Sequence, residues 1–263
     1  MQRRARLGRH LCSVIDMSDH RSPEEALPSF DESWSRALCV AAHPDDLEYG
    51  MAAAVDHWVQ QGKTVTYLLA THGEAGIDGV PPSEAASLRA QEERDGAAEV
   101  GVDIVEFLDY DDGMVEYGLP LRRDIARAIR IHRPEVLLTL THRERFAGGG
   151  TNQADHRAVG LAALDASKDA GNRWIHPELA GEGYEPWSGV RRVAMAGSSE
   201  HTHGVDVTGH LDAAVASLEA HHAYLEGLGE GYPSPRDLLG MILGGGGKAM
   251  GVEHAVTFEV YDI

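Results

Sequence analysis

Short apolar runs alternate with helix-length segments along most of this chain, and that alternation restricts the fold more than any single residue does. The runs fall at 37–42, 64–70, 104–108, 135–140 and 190–196, each followed by enough chain for a crossover. Parallel strands need such crossovers, usually helical, so the pattern predicts an α/β domain: a mostly parallel sheet with helices on both faces. Helices are expected near 50–61, 83–100, 119–132, 155–168 and 208–226, with a last strand at 255–261. The stops agree with this register, since Gly62 and Gly101 suit the residue just past a helix and Pro134 cannot continue one. The stretch 227–251, with its glycine run at 244–247, reads as a loose segment, and the run at 148–150 as a loop or lid.

At 263 residues the chain is long enough for one large domain with a sizeable core. Its 42 acidic against 23 basic residues give a formal charge of -19, which argues against nucleic acid or an anionic membrane as the main partner. No apolar run approaches the ~20 residues of a spanning helix. The chain opens on basic Arg3-Arg4-Ala5-Arg6, and the next apolar stretch, from Leu11 to Met17, is broken by Ser13 and Asp16, too short for a signal peptide. Residues 1–35 are therefore expected to be a flexible extension, or an over-long start with Met17 as the initiator, and 36–263 a single domain. Cys39, inside the first strand, is expected to be a buried free thiol, and with Cys12 the only other cysteine a reducing, cytoplasmic compartment follows. A homo-oligomer is left open.

The first run ends in His43-Pro44-Asp45-Asp46, followed by Glu48 and Gly50. Proline makes the turn rigid, and carboxylates at a strand end are costly to bury unless paired or bound to metal. In open α/β sheets ligands gather beyond the carboxyl ends of strands. Asp45 and Asp46 follow the first strand, Glu74 the second, Asp112 the third, and His142 and His156 the fourth, so these groups share one rim. The chemical reading makes His43, Asp46 and His156 ligands of one divalent metal, leaving a position for water and substrate. Asp45 would move the proton of the water, and Asp155 would orient a ligand or base. The plain alternative has Asp45 and Asp46 capping a helix while His43 bonds locally. Two histidines and a carboxylate also describe non-haem Fe(II) sites, and a metal-binding module without catalysis is a further alternative.

These residues carry a resemblance. His43-Pro44-Asp45-Asp46 with Glu48 and Gly50 resembles the signature of the LmbE/PIG-L family of zinc-dependent N-acetylglucosaminide deacetylases. Thr71-x-Gly73-Glu74, Arg89-x-x-Glu92 with Gly101-Val102, and Asp112-Gly113 are similar to its middle motifs, and Asn152-Gln153-Ala154-Asp155-His156 stands where it has His-Pro-Asp-His. The resemblance implies a Rossmann-like sheet, one Zn2+ per chain on His43, Asp46 and His156, Asp45 as general base, and removal of acetyl from an N-acetylated amino sugar or glycoside. A larger thiol-sugar-type conjugate is the alternative substrate.

Gln153 departs from the family pattern, which has a histidine there that assists the tetrahedral intermediate. The glutamine NH2 still donates a hydrogen bond but carries no charge, so Gln153 or Asn152 does a weaker version, or His142, Arg143 or Arg145 reaches in. Glu74 and Arg89 are candidates for sugar hydroxyls, against the plainer reading of Arg89 and Glu92 as a helix ion pair. His142 and His203 are placed at the pocket rim, with a second metal on His201-x-His203 as the rival reading. One of His221 and His222 is expected at the site, and His222 is counted there. Trp174, Tyr184 and Trp187 either stack on a sugar or simply pack.

Overall fold

Side chains alternate across each strand, and both faces of the sheet are apolar. In β1 (Arg36–Ala41), Ala37, Cys39 and Ala41 join one core layer, whereas Leu38 and Val40 join the other, as the period of two requires. β2 (Thr64–Leu69), β3 (Ile104–Phe107), β4 (Val136–Leu140) and β5 (Arg192–Ala196) continue the parallel array. β7 (Ala255–Asp262) lies antiparallel on β5, and β6 (His203–Asp206) antiparallel on β7. The computed structural model describes residues 26–229 and 231–263, and among them the sheet order is β3-β2-β1-β4-β5-β7-β6.

On one face lie α1 (Asp46–Gly50), α2 (Ala52–Gln60), the end of α3 (Pro82–Glu99), α7 (Leu211–Glu219) and α9 (Pro235–Met250). The other is covered by α4 (Leu119–His132) and α5 (Ala154–Asp169), with α6 (Pro177–Gly181) beside them. The chain winds outward from β1 through β2 to β3, then returns to pair β4 with the other side of β1. That reversal opens a crevice beyond the carboxyl ends of β1 and β4, where such folds bind ligands.

Several elements differ from expectation. The helix after β1 begins at once, at Asp46, and is interrupted at Met51, whose φ is -156. The expected helix over 208–226 is two, α7 and α8 (His222–Gly227), divided at His221. The stretch read as loose holds α9, capped by Ser234, whose hydroxyl accepts from the Asp237 amide at 3.2 Å. Glycine disfavours a helix by about 1 kcal/mol against alanine, but here it permits contact. A Cβ on Gly246 would stand 2.2 Å from the Ala255 carbonyl oxygen, and one on Gly247 would stand 2.4 Å from that of Glu253. The glycines thus let α9 lie flush against the turn into β7, with Leu239 and Leu243 buried below.

Residues 26–35 correct the expected flexible extension. The Phe30 amide bonds the Gly204 carbonyl at 2.8 Å, and Phe30 and Trp34 enter the core, with Trp34 edge-on to Trp58 at 5.1 Å. These aromatics follow no helical or strand period, so no local pattern marks them as core. Residues 1–25, including Arg3, Arg4, Arg6, Cys12 and Met17, lie outside the described residues. Cys39 is buried as a free thiol, and no helix of the described residues is long and apolar enough to cross a membrane.

Trp34 is 4% exposed, so Trp34→Ala is expected to destabilise the protein by about 3–5 kcal/mol, measured by urea unfolding. A loss under about 1 kcal/mol, the range of surface substitutions, would show that this segment is not part of the core.

Candidate functional site

β1 runs into a tight turn, Ala42-His43-Pro44-Asp45, and Asp46 opens α1. Asp46 Oδ2 accepts the amides of Ala42 (3.1 Å) and His43 (2.9 Å), which fixes the turn and leaves Oδ1 facing His156 Nε2 at 2.9 Å. His156 comes from the first turn of α5, which starts beyond β4. Its Nε2 lies 3.2 Å from His43 Nδ1, and His43 Nδ1 lies 3.6 Å from Asp46 Oδ2.

The outer nitrogens decide what the inner ones can do. His43 Nε2 faces Asp112 Oδ1 at 3.0 Å and Asp155 Oδ2 at 3.2 Å, and carboxylates accept only, so Nε2 carries the hydrogen. The Asn152 amide donates to the carbonyls of Thr141 (2.6 Å) and Arg143 (2.9 Å), which turns its Oδ1 toward His156 Nδ1 at 2.9 Å. His156 Nδ1 is therefore a donor as well. In the neutral imidazoles both inner nitrogens then carry lone pairs, aimed at each other and at Asp46.

Two lone pairs and a carboxylate attract one another only through a positive charge. Donors around a tetrahedral zinc at about 2.0 Å stand ~3.3 Å apart, close to the 2.9 and 3.2 Å that separate His156 Nε2 from Asp46 Oδ1 and from His43 Nδ1. The donor set fits a divalent metal, with both imidazoles oriented by partners behind them. The electrostatics agree. Burial opposes charge on His43, but Asp112, Asp155 and Asp46 outweigh it and push the imidazole up to about 12. Burial likewise opposes ionisation of Asp46, yet His156 and His43 hold its carboxyl well below the usual range. The pocket is built to stabilise positive charge between these groups.

Asp45 stands beside this cluster with a different set of partners. Its backbone is left-handed, φ 91 and ψ -24, a conformation that costs about 1–3 kcal/mol outside glycine. Three contacts hold it there. Its amide donates to Glu93 Oε2 at 3.0 Å, Arg89 Nη2 donates to its Oδ1 at 3.1 Å, and the Tyr224 hydroxyl bonds its carboxylate. Burial pushes Asp45 up to about 6 while the Arg89 guanidinium pulls the other way, which places it where a group can both take and return a proton near neutrality.

The other expected residues fall as follows. Asp155 is fully buried and serves the fold and His43 together, accepting the amides of Gly113 (2.7 Å) and Val115 (3.3 Å). Gln153 is exposed at the start of α5, next to the site but not within the cluster. Glu74 Oε1 accepts the Asp112 amide at 2.8 Å, and its Oε2 is buried without a partner among the described residues. Arg89 corrects its expected role as a sugar contact. At 2% exposure it is spent on the protein itself, donating to Gly73 O (2.9 Å), Pro44 O (2.5 Å) and Asp45, and its ring-stacked partner is Tyr224 at 4.2 Å. Glu92 pairs with the Ala223 amide at 2.6 Å, so the Arg89–Glu92 helix pair is not formed either.

His142 lies half-buried past β4 with Nδ1 3.1 Å from Met195 Sδ, turned toward β5 rather than the metal donors. Arg143 is drawn away to Glu259 by two bonds of 2.9 and 2.6 Å. His203 opens β6, four strand positions from β1, about 19 Å at the usual strand spacing, and so does not line the site. His222 is exposed, whereas His221 is fully buried and turned toward Glu48 and Glu93; the expectation chose the wrong member of the pair. Trp187 packs, donating to the Pro134 carbonyl at 2.7 Å, and Trp174 is 82% exposed. Asp112, expected on the rim, holds His43, and Asn152, expected as an oxyanion donor, holds His156; Glu93 and Tyr224 were not foreseen. The spacing Arg89–Glu93, i,i+4 and hence one helical face, was the available signal for Glu93, whereas Asn152 precedes α5 and offers no such pattern.

Residues 38–167 match the family model of PIG-L, described as GlcNAc-PI de-N-acetylase. The chain is 27% identical to the diacetylchitobiose deacetylase of Thermococcus kodakarensis, across 72% of this chain and 69% of that protein. It is 28% identical to the 1D-myo-inositol 2-acetamido-2-deoxy-alpha-D-glucopyranoside deacetylase of Kineococcus radiotolerans, across 79% and 74% of the two. Among solved structures, the N,N'-diacetylchitobiose deacetylase from Pyrococcus horikoshii superposes with a TM-score of 0.78 at 21% identity, covering 87% of this chain and 84% of that one. That last likeness is one of fold: a mixed α/β architecture. Residues 38–167, the part similar to the PIG-L family, hold His43, Asp45, Asp46, Asp112, Asp155 and His156 alike.

Proposed function

We propose that the protein is a zinc-dependent hydrolase that removes the acetyl group from an N-acetylated amino sugar or glycoside. The grouping of three metal-type donors, His43 Nδ1, Asp46 Oδ1 and His156 Nε2, with Asp45 buried beside them on separate partners carries this reading. The names of the sequence relatives, both deacetylases of acetylated sugars, support it. Two imidazoles and one carboxylate are a zinc-type set that leaves room for water and substrate.

When bound there, the ion polarises a carbonyl and brings the pKa of water toward neutrality. Asp112 and Asp155 hold the outer N–H of His43, and Asn152 holds that of His156, so both inner nitrogens are aimed at the metal position. Asp45 accepts the proton released as water attacks the acetamide carbon, then delivers it to the departing amine; the C–N bond breaks and acetate leaves. Gln153, exposed at the mouth of α5, offers its NH2 to the developing oxyanion, a neutral donor where the family pattern has an imidazole. Glu74 Oε2, buried and unpartnered among the described residues, is the acceptor available to a sugar hydroxyl.

Amine release from a panel of N-acetylated sugars, glycosides and thiol-sugar conjugates tests the reading; zinc-loaded protein that releases amine from none of them would refute it. Asp45→Asn is expected to keep its metal while kcat drops about 10²–10⁴-fold. His156→Ala is expected to lose metal and activity together, read as the metal-to-protein ratio after dialysis. Full turnover in Asp45→Asn would remove the aspartate from its assigned role. Arg89 lowers the pKa of Asp45 by its charge, so Arg89→Gln should raise it. The base then stays protonated to higher pH, and the acid limb of the kcat profile moves up; an unmoved limb would separate Arg89 from the base.

A further inference from the structure

Behind Asp45, and apart from the three donors of the first centre, Glu48, Glu93 and His221 meet with exposures of 1%, 0% and 0%. They arrive from α1, from α3 and from the residue that precedes α8. His221 Nε2 lies 3.7 Å from Glu48 Oε2 and 3.7 Å from Glu93 Oε2, beyond hydrogen-bond length in both cases. Both His221 nitrogens, Glu48 Oε2 and Glu93 Oε1 lack a hydrogen-bond partner among the described residues. Buried polar atoms are nearly always satisfied, so unpartnered atoms on three buried side chains that meet in one cluster call for a ligand.

Geometry selects the ligand. A proton shared directly would draw nitrogen and oxygen to about 2.7–2.9 Å. A water bonded to both at ~2.8 Å with a tetrahedral angle would hold them about 4.5 Å apart. Donors on one metal ion at ~2.0–2.1 Å stand about 3.3–3.6 Å apart, and the observed 3.7 Å adjoins that range. Charge points the same way, because neither carboxylate has a lysine or arginine ion pair among the described residues. Space is kept as well: a Cβ on Gly96 would come within 3.1 Å of His221 Nε2 and 3.4 Å of Glu48 Oε1.

We propose that Glu48, Glu93 and His221 hold a second divalent transition-metal ion, distinct from the His43–Asp46–His156 centre. Its carboxylate Glu93 Oε2 also accepts the Asp45 amide at 3.0 Å, so the second ion braces the left-handed turn that presents Asp45. With no exposed ligand the site is closed, as structural zinc sites are, and its ion enters on folding and leaves on unfolding. Metal content and position are the readouts, so the inference stands or falls independently of acetyl removal.

The full-length protein, saturated with zinc and crystallised, is examined by anomalous diffraction at the zinc edge, with manganese and iron edges measured on protein as purified. The expected result is one peak among His43, Asp46 and His156 and a second among Glu48, Glu93 and His221. In solution, a chelator is expected to strip one equivalent from the native protein and the other only in guanidinium. Glu93→Gln and His221→Gln should each lose the second equivalent, and His156→Ala the first alone. Crystals of the wild type with a peak at the first centre and none within the Glu48–Glu93–His221 cluster at any of these edges would overturn the proposal. That result depends on no variant folding, and peak position, not the metal count, decides it.

Discussion

His156 Nε2 lies 2.9 Å from Asp46 Oδ1 and 3.2 Å from His43 Nδ1, and the facing lone pairs of such a group repel unless a positive charge lies between them. The fold spends much of its polar chemistry on keeping them there. Asp46 takes two amides of its own turn, Asp155 takes two amides of the loop after β3 while bonding His43, and Asn152 spans two carbonyls of the loop after β4 while bonding His156. Bonds to charged acceptors are worth about 1.5–3 kcal/mol each, so the same groups that aim the donors also fasten three loops to the sheet. Removing a side chain such as Asp155 would therefore disturb the loop and the imidazole together.

Topology makes the meeting possible. His43 and His156 are 113 residues apart, but β1 and β4 are neighbours because the chain leaves toward β3 and comes back on the opposite side. A parallel array points all carboxyl ends one way, so every loop after a strand begins at the same rim. Strand proximity then ranks the candidates. Groups following β1 and β4 reach the cluster, Asp112 after β3 reaches it by a loop tied back through Glu74 and Asp155, and His203 on β6 is too far along the sheet.

Much of this was legible in the sequence. Strands read as 37–42, 64–70, 104–108 and 135–140 lie within a residue or so of β1 to β4, because buried parallel strands are continuous apolar runs with β-branched residues. His43, Asp46 and His156 were named from chemistry and spacing, and they do come together. What failed depended on tertiary contact. The glycines of α9 read as a breaker because their function is close approach to Ala255 and Glu253, which no local pattern encodes. Arg89 looked like a ligand-binding cation because burial cannot be read from one charged residue on a polar helix. His221 and His222 are adjacent at the start of a short helix, and no local pattern says which of the two turns inward. β6 escaped because four residues with only one apolar side chain, Val205, offer no alternation to detect.

The two faces of the sheet divide the work. His156, Asp155 and Asn152 belong to α5 and its approach, packed in the layer with α4, and they hold the donors. Arg89, Glu93 and Tyr224 belong to α3 and α8 on the opposite side, and they hold Asp45. Only the turn after β1 belongs to both, since Asp45 and Asp46 are adjacent residues gripped from opposite layers. The left-handed backbone at Asp45 is the geometric result: it turns one carboxylate toward each layer across a single peptide bond. A relaxed backbone there would send the Asp45 carboxylate elsewhere, so the strain of about 1–3 kcal/mol is intrinsic to having a base and a ligand as neighbours. Packing on both faces is what makes that conformation stable, which is why the site cannot be separated from the two-layer core that surrounds it.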